Sequence, residues 1–209
     1  ETRNSIYLII LIPISIIVQI IIFLKKTFVK PKGFGIPVIC VGNIYLGGTG
    51  KTPTSIEIEN ELINKKKKKV IIKKYYKDQR DEQRLINARS IPLILNKNRI
   101  TAIKEAKKNN FNSIVLDDGF QDYSIKKSIN IICFNSNQSI GNGLIIPAGP
   151  LRESLKSLIN ANIVIINGNK NHILEKKILN ISNNIKIYYS KYLPLNIEEF
   201  KNKKLFAFS

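Results

Sequence analysis

Apolar residues are distributed along this chain in two distinct ways. From Ser5 to Leu24, "SIYLIILIPISIIVQIIIFL", no charge interrupts twenty residues, the length a helix needs to cross a hydrocarbon core of roughly 30 Å. Lys25, Lys26, Lys30 and Lys32 follow at once, and basic residues in that position mark the cytoplasmic side. Pro13 and Gln19 interrupt the run, but membrane helices tolerate both. Residues 5–24 therefore read as an N-terminal membrane helix with the remaining chain in the cytosol. A helix lying in the membrane interface is one alternative. A cleaved signal peptide is another, although no small-residue cleavage site follows.

Beyond residue 33 the pattern changes to short β-branched runs alternating with charged, helix-compatible stretches. Such alternation calls for a mostly parallel sheet flanked by helices, an α/β fold. Strands are expected at 37–42, 70–73, 92–95, 113–117, 130–134, 162–166 and 185–189, and helices at 51–64, 99–109, 151–160 and 171–180. Gly141, Gly143, Pro147, Gly149 and Pro150 punctuate a loop longer than packing requires, which makes it a candidate for function. The final "KKLFAFS" reads as a strand cut off as it begins. Together with the absence of methionine from 209 residues, this leads us to expect a piece of a longer reading frame. Residues 33–209 have the size of one globular domain.

Composition changes this picture little. The 34 Lys and Arg against 15 Asp and Glu give a formal net charge of +19, a value that ordinarily suggests nucleic acid or anionic membrane. Lysine, asparagine and isoleucine crowd the whole chain, as codon bias toward AT would produce, and no nucleic-acid module is recognisable. The run "KKKKK" at 65–69 reads as a solvated helix end before a strand. Cys40 and Cys133 lie in apolar stretches and read as small core residues, with no zinc spacing or disulfide framework.

"VGNIYLGGTGKTP", residues 41–53, carries the clearest chemistry. An apolar strand, a glycine-rich turn and Gly50-Lys51-Thr52 opening a helix form an arrangement that cradles nucleotide phosphates. Gly47, Gly48 and Gly50 let backbone N–H groups converge on an anion. Lys51 is placed for the β and γ phosphates and the Thr52 hydroxyl for Mg²⁺. The strict pattern asks for glycine where Tyr45 stands; the strand-turn-helix context supports the assignment regardless. Asp117 and Asp118 arrive where the strand in "SIVLDDGFQ" leaves the sheet, a position from which carboxylates hold Mg²⁺ or its waters. Asp81 and Glu82 in "QRDEQRL" read either as acids at a helix N-terminus or as a third part of the site.

These stretches, with "GNG" (141–143) and "PAGPLRES" (147–154), together resemble the tetraacyldisaccharide 4'-kinase family of lipid A biosynthesis. The resemblance implies a P-loop NTPase-like fold using ATP and Mg²⁺, and transfer of phosphate to the 4' hydroxyl of an acylated glucosamine disaccharide 1-phosphate. It also implies work at the cytoplasmic face of the bacterial inner membrane, among membrane lipids and with no nucleic acid. By position, Asp81, Lys51 and Asp118 are the expected catalytic residues, Asp81 as the base. Gly47, Gly48, Thr49, Gly50, Lys51, Thr52 and Gln121 are the expected nucleotide contacts, and Thr52, Glu82 and Asp117 the metal ligands. Arg152 falls on the family's "PLRE" arginine, either a phosphate or substrate contact or a surface residue at a helix start.

Three departures bear on the acceptor side of the site. "KKYYKD" (73–78) stands where the family commonly has "SRGYGR", "RDEQ" replaces "GDEP", and Asp122 replaces the histidine after "DDGFQ". The family's catalytic histidine comes from a segment beyond "FAFS", and His172 reads as a surface residue at a helix start. A C-terminal lobe is therefore expected to be missing, and the activity of this piece alone to be poor. A membrane-anchored phosphate-loop ATPase without a sugar acceptor, and a non-enzymatic basic binding protein, are the competing readings.

Overall fold

A short run of valine, isoleucine and cysteine ending on glycine makes β1 (Val38–Gly42), and isoleucine, valine and leucine between Ser113 and Asp117 make β4 (Ser113–Asp117); every residue of both is buried. Strands covered on both faces belong in the middle of a parallel sheet, and the computed structural model sets these two side by side. It describes residues 2–63, 68–76 and 80–193, with side chains for 8–61, 68–76 and 83–193. Among the described residues seven parallel strands form one sheet in the order β3-β2-β4-β1-β5-β6-β7. The others are β2 (Lys69–Lys74), β3 (Leu93–Asn96), β5 (Ile129–Asn135), β6 (Ile163–Asn167) and β7 (Lys186–Ser190). Each of the seven expected strands is present within a residue of its expected ends.

Strand side chains alternate between faces, and the core divides accordingly. Val38, Cys40, Val70, Ile72, Ile114 and Leu116 point to one face, where α4 (Arg99–Lys108) contributes Ala102, Ile103 and Ala106, and α5 (His172–Leu179) contributes Leu174 and Ile178. Val41, Ile71 and Val115 point to the other, against Ile56 of α2 (Lys51–Ile63) and Ile86 of α3 (Arg80–Asn87). Asn98 starts α4 by accepting from the amides of Ile100 and Thr101, an N-cap that satisfies two otherwise orphaned donors.

Two expectations need correction. Residues 151–160 are not one helix; only a short 3-10 helix, Leu155–Asn160, forms there. Leu151 instead pairs as an extended residue with Tyr45 and Ile145, and its carbonyl accepts from the Ile146 amide, so it is not available to the amide four residues on and no α-helix starts there. The lysine run is not all solvated: Lys69 opens β2, is buried, and donates from Nζ to the Glu59 carbonyl. Lys68 is exposed as expected, and Lys65 to Lys67 lie outside the described residues.

Cys40 and Cys133 are free and buried. Burial pushes both thiols up to about 12, so neither supplies a thiolate at neutral pH. An aromatic disulfide reagent is expected to label neither in the folded protein and both after denaturation, as read by released thiolate absorbance.

The N-terminal helix α1 spans Thr2–Phe28, longer than the expected 5–24 at both ends. Its segment Leu8–Phe28 has a mean hydropathy of 2.7 and is almost entirely uncovered. One stripe is the exception. Leu8, Leu11, Ser15, Val18, Ile22 and Lys26, with Val29 just past the helix end, are the less exposed positions, at the three- and four-residue spacing that shares a helix face, and Val18 packs on the main core.

Candidate functional site

The sheet order places the phosphate loop. Beyond β1 the chain builds β2 and β3 to one side, then returns to insert β4 between β1 and β2 before adding β5 to β7 on the other side. Winding thus reverses at β1, which opens a crevice outside its carboxyl end. Residues 43–50 fill that position and α2 begins at Lys51. The loop is held from several directions. Asn43 Nδ2 donates to Thr49 Oγ1 at 2.8 Å, Asn167 Nδ2 to the Thr49 carbonyl at 2.6 Å, and Gln121 Nε2 to the Asn43 carbonyl at 2.8 Å. Gly50 adopts φ +81, and an added Cβ would strike Asn167 and Tyr192. At Gly42 a Cβ would come within 2.6 Å of the Phe120 Cβ, so the "DDGFQ" segment seats directly on the end of β1. Tyr45, at the place where the strict pattern has glycine, bridges to Leu151. The long loop at 140–150 thereby forms one wall of the phosphate loop.

Asp117 ends β4 and has no exposed surface. Its carboxylate accepts from Thr52 Oγ1 at 3.0 Å, Ser55 Oγ at 3.1 Å and Lys73 Nζ at 2.7 Å. Asp118, one residue on, has φ +54, turning it away from its neighbour. Arg152 Nη1 reaches both its oxygens, at 2.8 and 3.0 Å, and Lys51 Nζ lies 3.8 Å from Oδ1. Burial acts to raise the Asp118 carboxyl, but Lys51, Arg152 and Arg99 outweigh it and hold the group below its ordinary value. It is therefore ionised at neutral pH, and the stability it contributes disappears only as acid protonates it. Thr52 and Asp117 supply hard oxygen donors within 3.0 Å of each other, which suits Mg²⁺. No cluster of three His, Cys, Asp or Glu occurs among the described residues. An ion here would thus complete its shell with water and phosphate oxygens, as Mg²⁺ does by preference.

The structure brings together Gly47, Gly48, Thr49, Gly50, Lys51, Thr52, Asp117, Asp118 and Gln121 at one edge of the sheet. Asp81 and Glu82 fall in the first turn of α3, which follows β2; their side chains lie outside the described residues. Arg152, left open between two roles by its sequence, is an ion-pair partner of Asp118 and not a free surface arginine. Asp122, in the place of the family's histidine, faces Arg99 Nη1 at 3.6 Å. His172 begins α5 with its side chain exposed. Sequence reasoning missed Lys73 on Asp117, and Arg99, whose Nη2 donates to the carbonyl of Asp118 at 2.6 Å. A buried lysine inside a β-branched run was the available signal for the first; the second has none.

The sequence model of the tetraacyldisaccharide-1-P 4'-kinase family matches residues 7–208. The chain belongs to that family. Among its relatives, the tetraacyldisaccharide 4'-kinase of Pelagibacter ubique (strain HTCC1062) is 42% identical over 212 residues, covering 99% of this chain and 66% of that protein. The enzyme of the same name from Wigglesworthia glossinidia brevipalpis is 37% identical over 76% of this chain and 50% of its own length. The chain therefore spans about half to two thirds of the family members it matches. Among solved structures, LpxK from Aquifex aeolicus in complex with ATP superposes with a TM-score of 0.65 at 25% identity, over 79% of this chain and 59% of that one. The hydrogenase maturation factor HypB of Archaeoglobus fulgidus, at 11% identity and a TM-score of 0.53, shares the fold alone. The seven-stranded parallel sheet is a P-loop NTPase fold.

Proposed function

We propose that the full-length protein transfers the terminal phosphate of ATP to the 4' hydroxyl of a tetraacyldisaccharide 1-phosphate. The observation that carries this is the convergence of Lys51, Thr52, Asp117 and Asp118 on one crevice, in a chain whose family is a kinase family acting on that lipid. The amides of residues 47–52 and the Lys51 ammonium bind and orient the phosphates; their charge favours the charge that develops during transfer. Thr52 and Asp117 would hold Mg²⁺, which when bound neutralises phosphate charge. Asp118, kept ionised by its cations, fixes Lys51 and Arg152 relative to the phosphates. Asp81 is assigned the proton of the attacking hydroxyl and Glu82 a place near the metal, on the family's pattern. For a sugar hydroxyl, a carboxylate at hydrogen-bond reach is the expected base.

The apolar helix supports membrane association, and its side-on docking favours an interfacial attitude over an upright one. Ser15 contacts the domain at Ile145 and Ala148, yet lies nine residues inside the apolar run. Upright, α1 would draw that loop about 14 Å below the membrane boundary, at 1.5 Å per residue. Lying in the interface, it keeps Ile9, Ile16, Ile20 and Phe23, all exposed, toward lipid and the domain toward water. A lipid-bound acceptor would then meet the crevice at the membrane surface.

The test is incubation of the full-length protein with ATP, Mg²⁺ and the acylated disaccharide 1-phosphate, with the product read by mass spectrometry. A mass gain of one phosphate on the lipid supports the reading. ATP turnover that ignores added lipid overturns it in favour of a membrane-associated ATPase.

A further inference from the structure

Ser15 is a polar residue in the middle of an apolar helix, and it is buried where its neighbours are not. A serine so placed commonly returns its hydroxyl to its own helix. Here it reaches across: Ser15 Oγ donates to the Ile145 carbonyl at 2.8 Å and accepts from the Ala148 amide at 3.0 Å. Eleven residues later on the same face, Lys26 Nζ lies 2.6 Å from Glu153 Oε2, and its ammonium stands over the Tyr123 ring at 5.3 Å. Glu153 is only 1% exposed, and Lys26 is the cation at ion-pair distance from it, with Lys127 acting on it from further off. Burial, and then the Glu153 carboxylate, push the Tyr123 phenol up, so Tyr123 stays neutral beside that pair.

Glu153 is covalently next to Arg152, whose guanidinium grips both oxygens of Asp118 and whose amide donates to the Ile44 carbonyl at the start of the phosphate loop. The 140–154 segment is thus clamped by α1 on one side and delivers Arg152 to the crevice on the other. We propose that α1 is a positioning element as well as an anchor, with Ser15 and Lys26 holding this segment so that Arg152 fixes Asp118 beside Lys51. The inference rests on the kinase reading for its consequence in catalysis, but not for the docking itself. A buried carboxylate that loses the cation paired with it is costly, so without Lys26 the Glu153 segment shifts and Arg152 loses its register on Asp118. Misplacement by about an ångström is enough to cost up to roughly 100-fold in rate.

The test compares Ser15→Ala and Lys26→Met with the conservative Ser15→Thr and Lys26→Arg, all in the full-length protein on vesicles of bacterial phospholipid. The first pair is expected to lower kcat for phosphate transfer by about 10- to 100-fold, with KM for ATP and co-sedimentation with vesicles unchanged. The conservative pair is expected to keep kcat. Hydrogen exchange, which needs no substrate, is expected to quicken at the Ala148 and Arg152 amides in the first pair only. Wild-type exchange and wild-type kcat in Ser15→Ala and Lys26→Met would overturn the proposal, as would a loss of kcat matched by loss of vesicle binding. If wild-type protein transfers no phosphate, the kinase reading fails, while the exchange data still decide whether α1 holds the segment.

Discussion

Lys51→Ala in the full-length protein is expected to lower kcat for phosphate transfer by about 100- to 1,000-fold, equivalent to roughly 3–4 kcal/mol, the loss seen when one well-placed donor to a developing charge is removed. The reason is local. Lys51 opens α2 where the orphan amides of the first turn already favour an anion, and its ammonium sits 3.8 Å from Asp118 with little exposed surface. A charge with few waters around it acts on phosphate oxygens through a lower effective dielectric than a surface lysine would. Folding should be nearly untouched, because Asp118 keeps Arg152. Steady-state kinetics beside a thermal melt separate the two effects. Activity within a few-fold of wild type, with an unchanged melt, would remove Lys51 from the phosphates and with it the role assigned to the loop.

The second large effect is on stability. Asp117→Ala deletes a fully buried carboxylate that accepts from Thr52, Ser55 and Lys73 at once. Breaking a buried, hydrogen-bonded ion pair from one side costs about 3–5 kcal/mol, which for a domain of this size corresponds to a fall of roughly 10 °C in the unfolding midpoint. Asp117→Asn retains the volume and an acceptor and is expected to lose less. Both should abolish phosphate transfer, since the Thr52 hydroxyl loses the group that orients it. A midpoint within a degree or two of wild type for Asp117→Ala would show that the three donors find other acceptors, and that Asp117 is not the hub of this end of the sheet.

The two experiments probe different parts of one device. Lys51 and Asp118 meet at the rim of the crevice, where charge acts on a ligand; Asp117 and Lys73 lie beneath, with 0 and 3% of their side chains exposed. The lower pair fixes α2 to β2 and β4 through Thr52, so the upper pair is presented on a rigid base.

Much of this was legible along the chain because it is local. Alternation of β-branched residues and turns located all seven described strands within a residue, the strand expected at "KKLFAFS" lying outside the described residues, and Gly50-Lys51-Thr52 behind an apolar strand announced the phosphate loop, since both signals are confined to a few consecutive positions. Burial of Cys40 and Cys133 followed from the apolar runs around them. The 3-10 helix after Ser154 did not follow, because Leu151 is held extended against Tyr45 and Ile145 and no local pattern reports that.

What the sequence determined by itself is therefore the alternation of elements, the phosphate loop and the acids at the tip of β4. The tertiary structure alone decided what those acids face. Lys73 reaches Asp117 only because β4 is inserted beside β2, Arg99 reaches the Asp118 carbonyl only from the start of α4, and Ser15 meets Ala148 across 133 residues. Hydropathy specifies which face of an element is buried, whereas strand order and docking are set by the packing of all the elements together, so partners distant in sequence become visible only when the sheet is assembled.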